Sequence, residues 1–353
     1  MSATAAGDVL NVAVIGAGRI GRVHARSVLA HPGTRLALVA DASPVAAREV
    51  AESAGTRWTD QVDDVFADDQ VDAVVVASPT PFHVDHIVAG VASGKAVLTE
   101  KPVDLDLRRV DACLEQIRGS EHRVMVGFNR RFDAGIQEIR QRVLAGDVGE
   151  VEQVVVTSRD PSPPSPEYIA SSGGIFRDMT IHDLDMVRFL VGEVATVQAT
   201  GHQLDPVTGD HHGAVLVLTA RSGALATIVN SRHNASGYDQ RVEVVGPRGA
   251  LSQANHRPTA VSYSSAEFSD RQRPWVNFFL ERYAQAYAAE LDAFVRAVRT
   301  GEAPSPGIAD GRAALLLADC AVRSAATGRA VAVEELDPAT ATAVAPTTAG
   351  GQQ

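Results

Sequence analysis

Cysteine is nearly absent, with 2 residues, Cys113 and Cys320, in a chain of 353. Two thiols so placed build neither a disulfide framework nor a metal-type Cys spacing. Their surroundings, "DACLEQI" and "LLLADCAV", read as helices with buried thiols. Aromatic residues are 5% of the chain, and no basic patch interleaves with them. Positive charge is the minority sign: 32 Lys and Arg face 43 Asp and Glu, for a formal net charge of -11. That balance repels phosphate backbones and anionic bilayers, so neither nucleic acid nor a membrane is expected as a partner. No segment reaches the roughly 18 consecutive apolar residues that a membrane-crossing helix needs. "MSATAAGD" at the start has neither the basic stretch nor the apolar core of a secretory signal, and a reducing, cytoplasmic setting is expected.

What the chain does have is the composition of a folded protein, 45% hydrophobic and 21% charged, at a length suited to two domains. The first part alternates short β-rich runs with helical ones. Strands are predicted at Leu10–Ile15, Leu36–Asp41, Ala73–Ala77, Ala96–Leu98 and Val124–Val126. Helices are predicted at Arg22–Ala30, Pro44–Ala54, Pro81–Gly90 and Leu107–Arg118. Unbroken apolar strands such as "VDAVVVAS" imply burial on both faces, hence a doubly wound parallel sheet, the α/β Rossmann class. After Phe132 the texture changes to α+β. A helix near Ile136–Ala145 leads to "VEQVVVTSRD", a Pro/Ser loop, a helix, and several alternating runs that predict an open, mainly antiparallel sheet. Two helices follow, over Phe278–Arg299 and Ile308–Ala326. The expected division is 1–127 for a dinucleotide-binding domain, 128–337 for a substrate and oligomerisation domain, and 338–353 for a disordered tail rich in Ala, Thr, Pro and Gly. An open sheet leaves one face to be covered, and a second copy of the chain could cover it.

"NVAVIGAGRIGRVHA" sets Gly16, Gly18 and Gly21 directly after a buried strand and at the start of a helix. In that context G-x-G-x-x-G serves a tight turn, close approach of a pyrophosphate, and close packing of helix on strand. Arg19 and Ile20 complete the loop, whose free N–H groups and positive dipole end suit phosphates. Asp41 ends the second strand 20 residues beyond Gly21, placed to bond the ribose hydroxyls and repel a 2′-phosphate. No Arg follows at once, so NAD is the expected cofactor rather than NADP. Ser78, Pro79, Thr80 and His83 lie at the carboxyl end of one further strand, and Glu100, Lys101 and Pro102 at the end of another. Ligands of such sheets bind outside those ends. His83 reads as a packing residue, whereas Lys101 is a charge held beside the cleft.

"GGIFRDMTIHDLDMVRFL" places Asp178 and His182 four residues apart on a run with helical periodicity, so both fall on one face. His182 suits a proton acceptor near neutral pH, and Lys101 suits negative charge developing on an oxygen. Asp178 could bond a second substrate hydroxyl or steer the imidazole, and its charge is expected to raise the pKa of His182. No metal is expected, because a lysine takes the place of the Lewis acid, Asp183 falls on another face, and His211 and His212 point opposite ways along a strand.

Taken together, "GAGRIG", "ASPTPFHVDHI", "EKP", "GFNRRFD" and "GGIFRDMTIHDLDMVRFL" resemble the Gfo/Idh/MocA oxidoreductase family over nearly the whole chain. The last segment, with "RYAQAYAAE" and "SRHNASGYDQRVEVVG", resembles its inositol 2-dehydrogenase branch. The resemblance implies an NAD-linked oxidation of a ring secondary alcohol, with Lys101, Asp178 and His182 as the catalytic set and a homotetramer as the assembly. It places polyol contacts at Asn129, Arg159, Tyr238 and Tyr283 as well. Myo-inositol is the leading expected substrate, ahead of scyllo-inositol or another isomer, a pyranose sugar, a redox glycosidase activity on a glycoside, and a non-catalytic NAD-binding sensor.

Overall fold

The computed structural model describes residues 9–338, so the tail expected over 338–353 lies, apart from Pro338, outside the described residues. Strands β1 (Leu10–Ile15), β2 (Thr34–Ala40), β3 (Arg57–Thr59), β4 (Ala73–Val76), β5 (Ala96–Glu100) and β6 (Val124–Gly127) form one sheet in the order β3-β2-β1-β4-β5-β6. All pairings in it are parallel. Between the strands run α1 (Arg19–Ala30), α2 (Pro44–Ala54), α3 (Asp63–Ala67), α4 (His83–Ala92) and α5 (Leu107–Gln116). The strands are buried on both faces because β-branched residues fill successive positions, as in the all-buried "AVVV" of β4. Local signals set the helix ends: Ser43 caps α2 ahead of Pro44, and Gly55 closes it in the left-handed conformation at φ 65°. Strand order reverses between β1 and β4, which opens a crevice at their carboxyl ends.

The second half contains α6 (Ala134–Leu144), β7 (Gln153–Arg159), α7 (Pro166–Ser172), α8 (Ile181–Val191), β8 (Val194–Leu204), β9 (His211–Ala220), β10 (Leu225–Ser231), β11 (Asp239–Gly246) and β12 (Gly249–Gln253). A short ribbon of β13 (Ser262–Tyr263) and β14 (Arg271–Gln272) precedes α9 (Phe279–Arg282), α10 (Ala284–Thr300), α11 (Ile308–Thr327), β15 (Val331–Ala332) and α12 (Val333–Leu336). The sheet order is β12-β11-β7-β10-β9-β8-β15. It is antiparallel except where β7 and β10 run parallel, which sets Ser158 beside Asn230 at the same end. The single helix expected over Phe278–Arg299 is broken at Tyr283, which leaves the helical region at φ -113° and turns its buried ring edge-on to Tyr238. The chain also adds the three-residue edge strand β3, too short and too polar for alternation to reveal.

One apolar core joins the halves. Val103, Val110 and Val126 from the first sheet side share it with Leu315 and Leu317 of α11 and with Val197, Leu216 and Leu218 of the second sheet. Cys113 and Cys320 are both buried in it. The outer face of the second sheet carries Val155, Val215, Val217 and Leu225, each at least 39% exposed. The fit of α11 against the first sheet depends on Gly311, where a Cβ would stand 2.7 Å from Val103 Cγ2. Gly311→Val is therefore expected to cost ~1–3 kcal/mol through overpacking, read as a lower denaturation midpoint in urea. A midpoint at or above that of the unaltered protein would contradict the close approach.

Candidate active site

The glycine loop after β1 has the shape its sequence demands. Gly16 adopts φ 101°, and a Cβ there would lie 2.4 Å from the carbonyl oxygen of Ala77. A Cβ at Gly21 would lie 1.7 Å from the carbonyl of Gly16, so only glycine lets α1 rest on the loop. Gly18 differs: nothing stands within 4 Å of where its Cβ would be. Gly18 is also the N-cap of α1, with no side-chain cap and no acidic residue in the first turn. Free N–H groups and a positive dipole end are thus left beside open space, a fit to the phosphates of a dinucleotide. Asp41 lies against this loop, its Oδ2 accepting from the Ala17 N–H at 2.7 Å and its Oδ1 from the Ser43 N–H at 2.8 Å. Ile20 is half-buried, and the Arg19 guanidinium sits 5.4 Å from the Phe278 ring centre.

Two other strand ends close the crevice. Ser78 Oγ meets His86 Nδ1 at 3.1 Å, and Pro79 leads into the 3-10 turn Thr80–Phe82. His83 is buried, its ring nitrogens 2.7 Å from the Ser78 carbonyl and 2.8 Å from the Pro102 carbonyl, so it staples the two loops. Burial is the main influence on its pKa and lowers it. Glu100 turns its Oε1 to His24 Nε2 at 2.8 Å and accepts the Lys101 N–H at 3.3 Å through Oε2. His24, 1% exposed on α1, is a partner that the sequence did not announce.

Lys101 points from the end of β5 to the second half of the chain. Its Nζ donates to the Asp178 carbonyl at 2.8 Å and to Asp178 Oδ1 at 3.2 Å. Asp178 belongs not to a regular α-helix, as the periodicity predicts, but to a single π-helical turn, Phe176–Thr180, that leads into α8. Such turns recur at functional sites. Gly173 and Gly174, at φ 84° and 81°, admit the chain to it. It is pinned on two sides, by Arg177 Nε on Asp319 at 2.7 Å and by Thr180 Oγ1 on Asn230 Oδ1 at 2.6 Å. A hydrogen bond from Tyr168 OH, 3.0 Å from Asp178 Oδ1, completes the surroundings of that carboxylate.

His182 stands edge-on to Phe128, ring centres 6.1 Å apart, with its Nδ1 buried and unpartnered among the described residues. Here the structure corrects the sequence. Burial holds the imidazole pKa well below its ordinary value, and the charges of Lys101 and Arg130 push it further down. Asp178 spends its charge on Lys101 and does not raise it. His182 is therefore neutral, the form that can accept a proton.

Beneath His182 lies a buried layer. Arg130 pairs with Asp183, which also accepts from Asn230 Nδ2 at 2.7 Å. Arg131 pairs side-on with Asp185, its Nε and Nη2 each donating to one carboxylate oxygen. These pairs account for the "HDLD" acids, and among the described residues no three or more His, Cys, Asp or Glu side chains are grouped to hold a metal ion. Asn129, 3% exposed, begins the turn that carries both arginines. Tyr238 and Tyr283, each 4% exposed, belong to this layer: Tyr238 OH lies 3.5 Å from Arg130 Nη2, and Tyr283 OH donates to Gln240 at 3.4 Å. Arg159 pairs with Asp239 at 3.3 Å at the partly exposed end of β7. Its neighbour Asp160, which sequence reasoning passed over, has its carboxyl pKa pushed up to about 6 by burial. The negative charges of Asp178 and Asp183 add to that rise, and Arg130 and Arg232 oppose it.

Two family models match the chain. An oxidoreductase family with an NAD-binding Rossmann fold covers residues 10–128, and the GFO/IDH/MocA C-terminal domain covers residues 136–252. The chain is similar to an inositol 2-dehydrogenase of Rhizobium meliloti (strain 1021), 44% identical over 325 residues, which are 91% of this chain and 98% of the relative. A crystal structure of a myo-inositol dehydrogenase from Corynebacterium glutamicum superposes with a TM-score of 0.90 at 46% identity, covering 94% of this chain and 99% of that one. A scyllo-inositol dehydrogenase from Lactobacillus casei, with bound NAD(H) and scyllo-inositol, superposes with a TM-score of 0.83 at 26% identity, covering 92% and 99%. With both halves matched and 44% identity over nine-tenths of its length, this chain belongs to the Gfo/Idh/MocA family of NAD-binding oxidoreductases.

Proposed function

We propose that the protein is an NAD-dependent inositol 2-dehydrogenase that oxidises a ring secondary alcohol of a cyclic polyol, with myo-inositol, giving 2-keto-myo-inositol, the best-supported substrate. The observation that carries this reading is the contact of Lys101 with Asp178 across the two halves of the chain, beside a neutral His182 that feels the charge of Lys101. Bound NAD supplies the hydride acceptor. Gly16, Gly18, Arg19, Ile20 and Gly21 hold its phosphates, Asp41 its ribose, and the loops of Ser78, Pro79, Thr80, His83 and Glu100 border the cleft. Lys101 donates to the substrate oxygen and stabilises negative charge as it develops there. His182 takes the hydroxyl proton. Asp178 aims Lys101 and offers its second oxygen to a neighbouring ring hydroxyl. Asn129, Arg159, Tyr238 and Tyr283 support the polyol, the tyrosines through Arg130 and Gln240. A homo-oligomer, a tetramer by resemblance, would cover the valine-rich outer face of the second sheet, and a cytoplasmic setting suits an NAD-linked enzyme with two buried, unpaired cysteines.

Two outcomes are expected. Purified protein with NAD should form NADH, followed at 340 nm, on myo-inositol in a panel with scyllo- and chiro-inositol, glucose and xylose. Binding of NAD with no turnover on any inositol would reject the assignment. The pH profile supplies the second. His182, held neutral, makes no acid limb near its ordinary pKa. Asp160 does, because its protonation below about pH 6 leaves Asp183 alone to offset the charge of Arg130 and weakens His182 as a base. The kcat/KM of the unaltered protein should fall through that region, and Asp160→Asn should be slower and flat across it. An unmoved acid limb in Asp160→Asn would assign the limb elsewhere.

A further inference from the structure

The Pro/Ser-rich stretch before the catalytic turn is not a plain loop. Ser165 caps the short helix α7, Pro166 opens it, and Gly173 closes it in the left-handed conformation. Only Ile169 and Ser172 of α7 are buried. Tyr168 is 49% exposed over its whole side and main chain, yet its hydroxyl reaches inward to Asp178 Oδ1 at 3.0 Å. The ring spans from an exposed helix to the centre of the site. Its phenol feels the charges of Glu100 and Arg19, from the cofactor side of the cleft, as well as that of Asp178.

Asp178 Oδ1 already accepts from both Lys101 and Tyr168, whereas Oδ2 accepts no hydrogen bond among the described residues. Tyr168 thus fixes which carboxylate oxygen remains for a ligand. While the Tyr168 hydroxyl donates its one proton to Asp178, its oxygen keeps lone pairs that can accept from a hydroxyl. Burial and the negative charge of Asp178 push the phenol pKa upward, so the group stays a hydroxyl and is no rival to His182 as a base. Two acceptors are left side by side, Asp178 Oδ2 and Tyr168 Oη, next to the donor Lys101 Nζ. That set matches an oxidisable hydroxyl with adjacent ring hydroxyls, a vicinal polyol, better than an isolated alcohol.

We propose that Tyr168 is a specificity-determining residue, which orients Asp178 through its proton and reads, through its oxygen, a ring hydroxyl neighbouring the one oxidised. This rests on the reading of Lys101, Asp178 and His182 as the reacting set. It places one determinant of isomer choice on α7, a small and largely exposed element that can vary in sequence without disturbing the core.

The test is Tyr168→Phe, which keeps the ring and removes only the hydroxyl, with His182→Ala run beside it. NAD affinity is measured by fluorescence titration. Polyol affinity is measured by calorimetry on the NADH-loaded protein, and KM and kcat on myo-, scyllo- and chiro-inositol. For Tyr168→Phe, NAD affinity should be retained. The KM and calorimetric Kd of the preferred isomer should rise ~10–100-fold, the loss expected for a hydrogen bond to a charged network. KM should rise by more than kcat falls, and the ratio of kcat/KM between isomers should narrow. Unchanged polyol affinity and isomer ratio in Tyr168→Phe, with turnover lost in His182→Ala, would overturn the role of Tyr168 and leave the reacting set standing. Full turnover in His182→Ala would overturn both.

Discussion

The contact between Lys101 and Asp178 is the constraint on which the rest depends. One partner stands at the end of a strand in the first sheet, and the other on a turn ahead of a helix in the second half. The pair is largely shielded, with side chains 13% and 14% exposed. It forms only if both halves are held in register, a task for α11, whose glycine lets it press on Val103 while its other residues share the core of the second sheet. The π-helical turn serves the same end. A regular α-helix advances 3.6 residues per turn, and the wider turn presents both the main-chain carbonyl and the carboxylate of Asp178 to one ammonium group.

Charge explains why the acids near this contact do different work. Breaking a buried ion pair by removing one partner costs about 3–5 kcal/mol, so Asp183 and Asp185 are bound to Arg130 and Arg131 before they can serve any ligand. The arginines have a second effect. Added to burial, the charges of Lys101 and Arg130 hold His182 neutral, which keeps its ring free to accept a proton but lowers its basicity. Asp160 and Asp183 moderate the field of Arg130. In the proposed reaction a weak base of this kind suits an alcohol whose own proton is loosened by a lysine.

Much of the fold was legible because its signals are local. Apolar runs, "VAVI" in β1 and "AVVV" in β4, marked those strands, and Ser43, Pro44 and Gly55 bracketed α2 at both ends. The glycine loop was legible because Gly16 and Gly21 each answer a separate steric demand and Gly18 leaves open space. What escaped was set by tertiary contacts. The break at Tyr283 follows from packing against Tyr238, the short strand β3 has no apolar alternation, and the parallel pairing of β7 with β10 leaves no trace in either strand. The charge state of His182 escaped for the same reason. Spacing placed Asp178 on its face, but Lys101, from a distant strand end, and Tyr168, from the preceding helix, claim that carboxylate. The helix that bears Tyr168 was hidden among prolines, although Ser165 followed by Pro166 is a helix-start signal that could have disclosed it.

The most direct measurement is the single-turnover formation of NADH by Lys101→Met on myo-inositol, compared with the unaltered protein after NAD binding has been verified in both. Methionine keeps an unbranched side chain of nearly the same length and removes its charge. Bound NAD is expected, with a rate lower by ~10²–10³-fold, the usual loss on removing one group that stabilises developing oxygen charge. NADH formed at the unaltered rate would mean that Lys101 is not the cation facing the reacting oxygen, and the bridge between the two halves would be structural only.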